Sequence, residues 1–251
     1  MKNNEWINFK CYLLTFEITK DIKLSRYHGS KIVSLLSQIF KHPLTDEIPS
    51  PIIPYSLEMG RFFGKGELYP LELTILGTDN KPLLDIFNWF LNDKKNIKAG
   101  DFATYLKLTH VKDITPVFVE ENKIDDLIHL KLLTPLRHAK RIKSDGKRFF
   151  SPDFFDPEYF LELYYKRLVM LSEFYGQGIP RIRKIPRCKL ISIDCNWIDD
   201  KFSKTLGGIV GEVKFNMKND KYWNKVLWLG QFMHAGNNTN FGFGKYLLIN
   251  S

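Results

Sequence analysis

The chain has 251 residues, enough for one large or two small domains, with 44% hydrophobic and 26% charged residues; that balance excludes a disordered chain and a membrane-embedded one. Lysine and arginine outnumber aspartate and glutamate 37 to 28, a formal net charge of +9, and such a surplus favours a polyanionic partner. Cys11, Cys188 and Cys195 form neither a C-x-x-C pair nor a zinc spacing, so no metal site is expected, and a sparse, odd cysteine set suits a reducing cytoplasm.

The N-terminus does not read as a signal peptide: Met1 to Lys10 is polar and Glu17 interrupts the apolar run that follows. No stretch reaches the length of a membrane span, and no membrane partner is expected. Phe9 to Ile18 alternates as a strand, and Lys20 to Ser25 turns the chain. Ile32, Leu35, Leu36, Ile39 and Phe40 share one helical face, which starts after Gly29-Ser30 and stops before Pro43. Ile52 to Met59 is a predicted strand, Arg61 to Gly66 a turn, and Leu71, Leu73 and Ile75 alternate in the next strand. Pro82 opens a helix on which Leu83, Phe87, Phe90 and Leu91 are read as one face. Ala103 to Leu108 completes a βαββαβ string, the ferredoxin-like unit.

From Asp125 the string repeats in pattern, with no visible repeat of sequence. Leu127 to Thr134 is a strand, and Asp156-Pro157 gives an N-cap and first-turn proline to a long helix ending near Gly176. Strands are expected near Leu190–Trp197 and Ile209–Phe215, then a helix at Trp223 and a strand from Tyr246 to Ile249. The expected fold is α+β, two tandem ferredoxin-like (RRM-like) domains, 1–120 and 121–251, the second with a C-terminal glycine-rich loop.

That loop is the most informative stretch. Gly236, Gly242 and Gly244 sit among Asn237, Asn238, Thr239 and Asn240, with Phe241 and Phe243 between. Such a loop can turn several N–H groups toward one anion. The order of elements is helix, loop, strand, the reverse of a P-loop or dinucleotide fingerprint, so no nucleotide cofactor is expected. The plain alternative is a tight turn rich in Gly and Asn. A second cluster, Gly207-Gly208 and Gly211, precedes it. Together with Trp228, Gly230, His234, Gly236, Thr239, Phe241, Gly242, Gly244 and Tyr246, this pair resembles the C-terminal signature of the RAMP superfamily. The resemblance is to its CRISPR repeat-processing endoribonucleases, family six of the Cas proteins. Only the second Gly-x-Gly half is intact, since Ala235-Gly236 stands where the first would be.

The resemblance implies two ferredoxin-like folds side by side and an endoribonuclease that cuts CRISPR precursor RNA within the repeat and retains the crRNA. It implies no cofactor and no metal, because the 2′-hydroxyl itself can attack the adjacent phosphate. Its partners would be repeat RNA and other Cas effector subunits, with the chain a monomer or a homodimer. The alternative is a RAMP subunit that grips guide RNA without cutting. Cleavage needs a group to take a proton, one to give a proton and a cation for the extra charge. Family members commonly use a histidine near the first helix, sometimes with Tyr and Lys. Tyr27, His28 and Lys31 lie at the start of that helix here, and His42 lies just past its end. A helix N-terminus favours a bound phosphate, and a C-terminus favours a protonated imidazole; the two histidines remain alternatives.

His234 is read as structural or RNA-positioning; His110, His129 and His138 are read as surface or edge residues. Two basic segments are candidates for phosphate tracking. Arg137, Lys140 and Arg141 run toward Phe149-Phe150, expected as stacking platforms; Arg181, Arg183, Lys184 and Arg187 could form a hairpin. With Gly236, Asn237, Asn238, Thr239, Gly242, Gly244 and Lys245 of the loop, these complete the expected RNA-binding set.

Overall fold

The computed structural model describes residues 6–24, 29–40, 50–56, 60–78, 81–92, 102–118, 125–140, 149–180, 184–200, 203–218, 220–237, 239 and 242–249. Within them the chain forms two four-stranded antiparallel sheets, each backed by two helices.

The first unit contains β1 (Phe9–Ile18), β2 (Ile22–Lys23), α1 (Gly29–Phe40), β3 (Ile52–Ser56), β4 (Phe62–Phe63), β5 (Leu68–Leu76), α2 (Lys81–Asn92) and β6 (Leu106–Asp113). Its sheet order is β3-β5-β1-β6, and β2 pairs with β4 apart from it. Strand alternation sends Tyr12, Leu14, Phe16 and Ile18 of β1 and Leu71, Leu73 and Ile75 of β5 to one face. There they meet Ile32, Leu35, Leu36 and Ile39 of α1, spaced three and four apart as a single helix face requires.

The second unit contains β7 (Leu127–Leu136), α3 (Pro157–Tyr175), β8 (Cys188–Asp200), β9 (Ser203–Met217), α4 (Lys221–Met233) and β10 (Tyr246–Leu248), with sheet order β10-β7-β9-β8. Both orders place the first and third strands of each unit side by side at the centre, the ferredoxin-like arrangement. Asp156 caps α3 by accepting the Tyr159 N–H, and Asp220 caps α4 by accepting the Trp223 N–H.

Three readings are corrected. The sequence pattern puts the last strand of the first unit over Ala103 to Leu108. Instead Phe102–Tyr105 forms a 3₁₀ turn and β6 starts at Leu106. Burial of Phe102 and Ala103 and the Thr19 N–H bond to the Tyr105 carbonyl turn the chain there. On α2 the buried residues are Ile86 and Trp89, whereas Leu91 is 73% exposed. Apolar residues surround that helix on all sides, so periodicity alone does not choose its face. Finally, Arg61 to Gly66 is not only a turn, since Phe62 and Phe63 pair with Lys23 and Ile22.

The units meet asymmetrically. Helix α4 turns Trp223, Val226 and Leu227 into its own core and lays Trp228 and Phe232 on Phe9 of β1, with ring centroids 6.1 and 5.6 Å apart. Ile7, Ile53 and Leu76 of the first unit join the second unit's core. The uncovered face of the first sheet is therefore partly floored over by α4.

Candidate functional site

The glycine loop hangs from the C-terminal end of α4, where the last carbonyls lack partners within the helix. Half-buried Arg167, on α3, donates from Nε and Nη2 to the Met233 carbonyl, each at 3.3 Å, and the His234 N–H bonds the Gly230 carbonyl. Burial lowers the Arg167 pKa to about 10, which leaves it charged. His234 has φ +55, a conformation that costs a non-glycine residue roughly 1–3 kcal/mol. Its ring explains why it is not glycine. Nδ1 donates to the Phe243 carbonyl at 3.1 Å and ties the two ends of the loop together. That bond places the hydrogen on Nδ1. Nε2 is buried with no partner among the described residues. Burial, then the Lys245 and Arg167 charges, holds the His234 pKa well below the usual range. His234 is thus neutral near pH 7 and structural, in line with its sequence context.

The rest of the loop is spent largely on itself. The Ala235 N–H bonds the Gly244 carbonyl, Gly242 bonds Thr239, and Gly244 bonds Pro135. Asn237 bonds the Arg137 carbonyl, and Lys245 donates to Thr134 Oγ1. These N–H groups are not turned toward a common anion. Gly244 sits at φ +74, and a Cβ there would strike the Ala235 carbonyl. Gly230 serves differently, leaving room for the Tyr246 hydroxyl, which donates to the Leu227 carbonyl at 2.7 Å.

Lys245 departs from its expected place. It is 3% exposed, and its ammonium pairs with Glu72 of β5 and lies over the rings of Tyr55 and Phe232. Glu72 and Tyr55 face away from the α1 side of the sheet, in register with each other. The loop is therefore locked onto the open face of the first unit. Thr239, Gly242 and Gly244 are also buried, which leaves Gly236 and Asn237 to reach the surface among the described loop residues.

The remaining candidates divide. Arg137 stays beside the loop, its guanidinium 4.2 Å from the Phe149 ring centroid. Lys140 is buried with Nζ 4.5 Å from the Phe154 centroid. Phe150, expected as a stacking platform, is fully buried in the core. The hairpin expected for the second basic segment is absent from its described part: 184–187 is irregular, and β8 starts at Cys188. Pro180 is held by the hydroxyls of Tyr165 and Tyr222, near the N-terminal end of α4, and Cys188 by Glu158. Between these anchors Lys184 and Arg187 are exposed.

Of the histidines, His110 is exposed and His129 meets Glu212 at 2.9 Å. His138 is corrected from surface to core: it is 3% exposed between Phe150 and Phe160, and burial lowers its pKa to about 3. Tyr27, His28, His42, Asn238, Arg141, Arg181 and Arg183 lie outside the described residues. Lys31 lies on α1, on the other side of the first sheet from Lys245 and the loop. It lines a cleft of about 430 Å³ between β2, α1 and the 3₁₀ turn.

Sequence reasoning missed Glu72 and Arg167. Glu72 had a signal: a lone acid between Leu71 and Leu73 in an apolar strand. Arg167 had none, because its partner carbonyl lies 66 residues away.

Residues 130–246 match the family model described as CRISPR-associated endoribonuclease Cas6. None of the curated proteins matches the chain significantly. Among solved structures, a chain of a partial Cas6-RT-Cas1–Cas2 complex aligns with TM-score 0.73 and 16% identity, over 100% of this chain and 47% of that one. This chain thus spans less than half of that relative's length. A Cas6 product complex aligns with TM-score 0.65 and 15% identity, over 96% and 99% of the two chains. Thermus thermophilus Cas6 gives TM-score 0.63 and 14% identity over 97% and 99%. Residues 130–246 therefore carry the signature of the CRISPR-associated endoribonuclease Cas6 family, on a fold that nearly the whole chain shares with solved Cas6 structures.

Proposed function

We propose that the chain is an endoribonuclease that cuts CRISPR precursor RNA within the repeat, without a metal ion, and keeps hold of the crRNA. The observation that carries this reading is the match of 130–246 to the Cas6 family model. The chain would act as two units, 1–120 and 121–251, the first supplying the chemistry and the second most of the grip. His28, which precedes Gly29 in the sequence, exchanges the proton of the attacking 2′-hydroxyl or the leaving 5′-oxygen. Tyr27 orients the strand, and Lys31 offsets the charge that builds on the phosphate. His42 is the alternative acid–base group. The products are a 2′,3′-cyclic phosphate and a 5′-hydroxyl. Gly236, Asn237 and Arg137, with Asn238 and Arg141, face the RNA at the loop. Arg181, Arg183, Lys184 and Arg187 track phosphates further along.

The test is cleavage of a cognate repeat RNA in EDTA, with the termini of the products identified. Cleavage persists in EDTA, and a 2′-deoxy nucleotide at the cut abolishes it because the attacking oxygen is gone. His28→Ala loses at least ~100-fold in rate while binding holds. Lys31→Ala loses less. Loss of activity in His42→Ala instead moves the acid–base role to that residue. A Mg²⁺ requirement, or a cut in the deoxy substrate, overturns the mechanism.

A further inference from the structure

The cleft beside Lys31 has a composition that the reading above does not use. At about 430 Å³ it falls within the ~300–1,000 Å³ typical of ligand sites. Ile22, Leu35 and Phe102 line its base but are almost wholly buried, so what the cleft exposes is more polar than apolar. Its rim is polar, with Lys23 and Lys31 as cations and Ser34 and Gln38 as hydrogen-bonding groups. The one carboxylate on the rim among the described residues, Asp21, accepts the Lys65 N–H at 2.8 Å and holds the adjoining turn. The walls are fixed to each other: the Thr19 N–H bonds the Tyr105 carbonyl and the Thr19 hydroxyl bonds the Thr104 carbonyl, at 2.9 and 3.1 Å. The cleft is thus built by the fold, and among the described residues its rim carries more cations than carboxylates.

We propose that this cleft holds one nucleotide of the RNA strand next to the cut and reads its base. The polar edge of the base meets Ser34 and Gln38, and its phosphate sits between Lys23 and Lys31. The assignment rests on the RNA reading above and adds a base-specific contact to it. An amide and a hydroxyl at the rim supply the edge contacts that discriminate among bases. Lys31 links the cleft to the reacting phosphate, because it lies in the first turn of α1, two residues after Gly29. The glycine loop, behind the same sheet, would then hold a different part of the strand.

The test uses a single-stranded RNA spanning one repeat of the source organism, made uncleavable by a 2′-deoxy nucleotide at the cut. An abasic nucleotide is moved along it, and binding is measured for the wild type and for Ser34→Trp, in which an indole fills the cleft from an exposed position. In the wild type one abasic position near the cut should weaken binding by about 10-fold. In Ser34→Trp that same position should cost nothing further, and Gln38→Ala should blunt the preference for the native base there. Equal penalties in wild type and Ser34→Trp at every position overturn the proposal. So does displacement by free nucleoside monophosphates without any coupled position in RNA, which would make the cleft a mononucleotide site. Cleavage of unmodified RNA is read in parallel. Cutting without a coupled position sinks the cleft alone, a coupled position without cutting sinks the catalytic reading alone, and no RNA binding sinks both.

Discussion

The two units share a string of elements and a sheet order but differ in what lies on the sheet face away from their helices. In the second unit Lys131 and Asp194, on that face by register, are exposed, and His129 and Lys214 beside them are half-buried. In the first, Phe9 is covered by α4, and Glu72 and Tyr55 are covered by the glycine loop. The difference shows in the helices. Helix α4 is apolar on two sides and uses both, whereas α2 is just as apolar and leaves Leu84 and Leu91 exposed. Duplication of a fold therefore provides two similar scaffolds. An unequal docking turns one of them into a base on which the other's loop is fixed.

The largest effect should come from breaking that docking at its one buried ion pair among the described residues. Lys245→Met leaves the Glu72 carboxylate buried without its cation, a change that typically costs ~3–5 kcal/mol. The double variant Glu72→Gln with Lys245→Met removes both charges and should recover much of the loss. Urea unfolding of the three proteins measures this. A single variant that loses less than ~1 kcal/mol would show that the pair behaves as a surface contact and does not hold the units together.

A second comparison sets a glycine of each unit against the other. Gly66 and Gly244 have φ +87 and +74, but only Gly244 has backbone within reach of an added Cβ. Gly66→Ala should cost ~1–2 kcal/mol for the left-handed backbone alone. Gly244→Ala should cost a further ~1–3 kcal/mol, because the Ala235 carbonyl must move. RNA binding should fall for Gly244→Ala and hold for Gly66→Ala. Equal losses in stability would mean that the loop yields to the methyl group and is not tightly closed.

The sequence made most elements legible because their signals are local. Asp156-Pro157 marks the start of α3, and the spacing of Ile32, Leu35, Leu36 and Ile39 marks the buried face of α1. The ferredoxin-like repeat followed from the order of these elements. What escaped depends on partners distant in the chain. Lys245 looked like an RNA contact because a lysine beside Gly-Phe-Gly is exposed by default; its burial depends on Glu72, 173 residues away. Phe150 looked like a platform because a basic run precedes it, yet it is core. The face of α2 was misread for a related reason, since apolar residues surround it and only packing selects Ile86 and Trp89 over the face of Leu83, Phe87, Phe90 and Leu91. The glycine loop was visible as a motif, but its internal hydrogen bonding was not, because composition does not say where an N–H points.

The smallest effect concerns acid, and it also separates the units. His138 and His234, both in the second unit, are buried and have pKa values below the ordinary 6.5, His138 at about 3. His110, on β6 of the first unit, is exposed. Facing His138 are the rings of Phe150 and Phe160; facing His234 are the Phe243 carbonyl and the Lys245 and Arg167 cations. None of these groups favours a protonated ring except the carbonyl, which already accepts from Nδ1. In the unfolded chain both histidines take a proton near pH 6.5, whereas in the folded protein neither does until the pH is far lower. Each therefore contributes stability that is present above about pH 6.5 and is lost as the pH falls toward its folded value, at about 1.4 kcal/mol per pH unit. Between pH 6.5 and 5.5 carboxylates remain largely ionised, so this window isolates the histidines. His138→Leu should remove about 1 kcal/mol of the loss across it. Urea midpoints at the two pH values decide the matter. A slope that His138→Leu leaves unchanged would contradict the burial of His138.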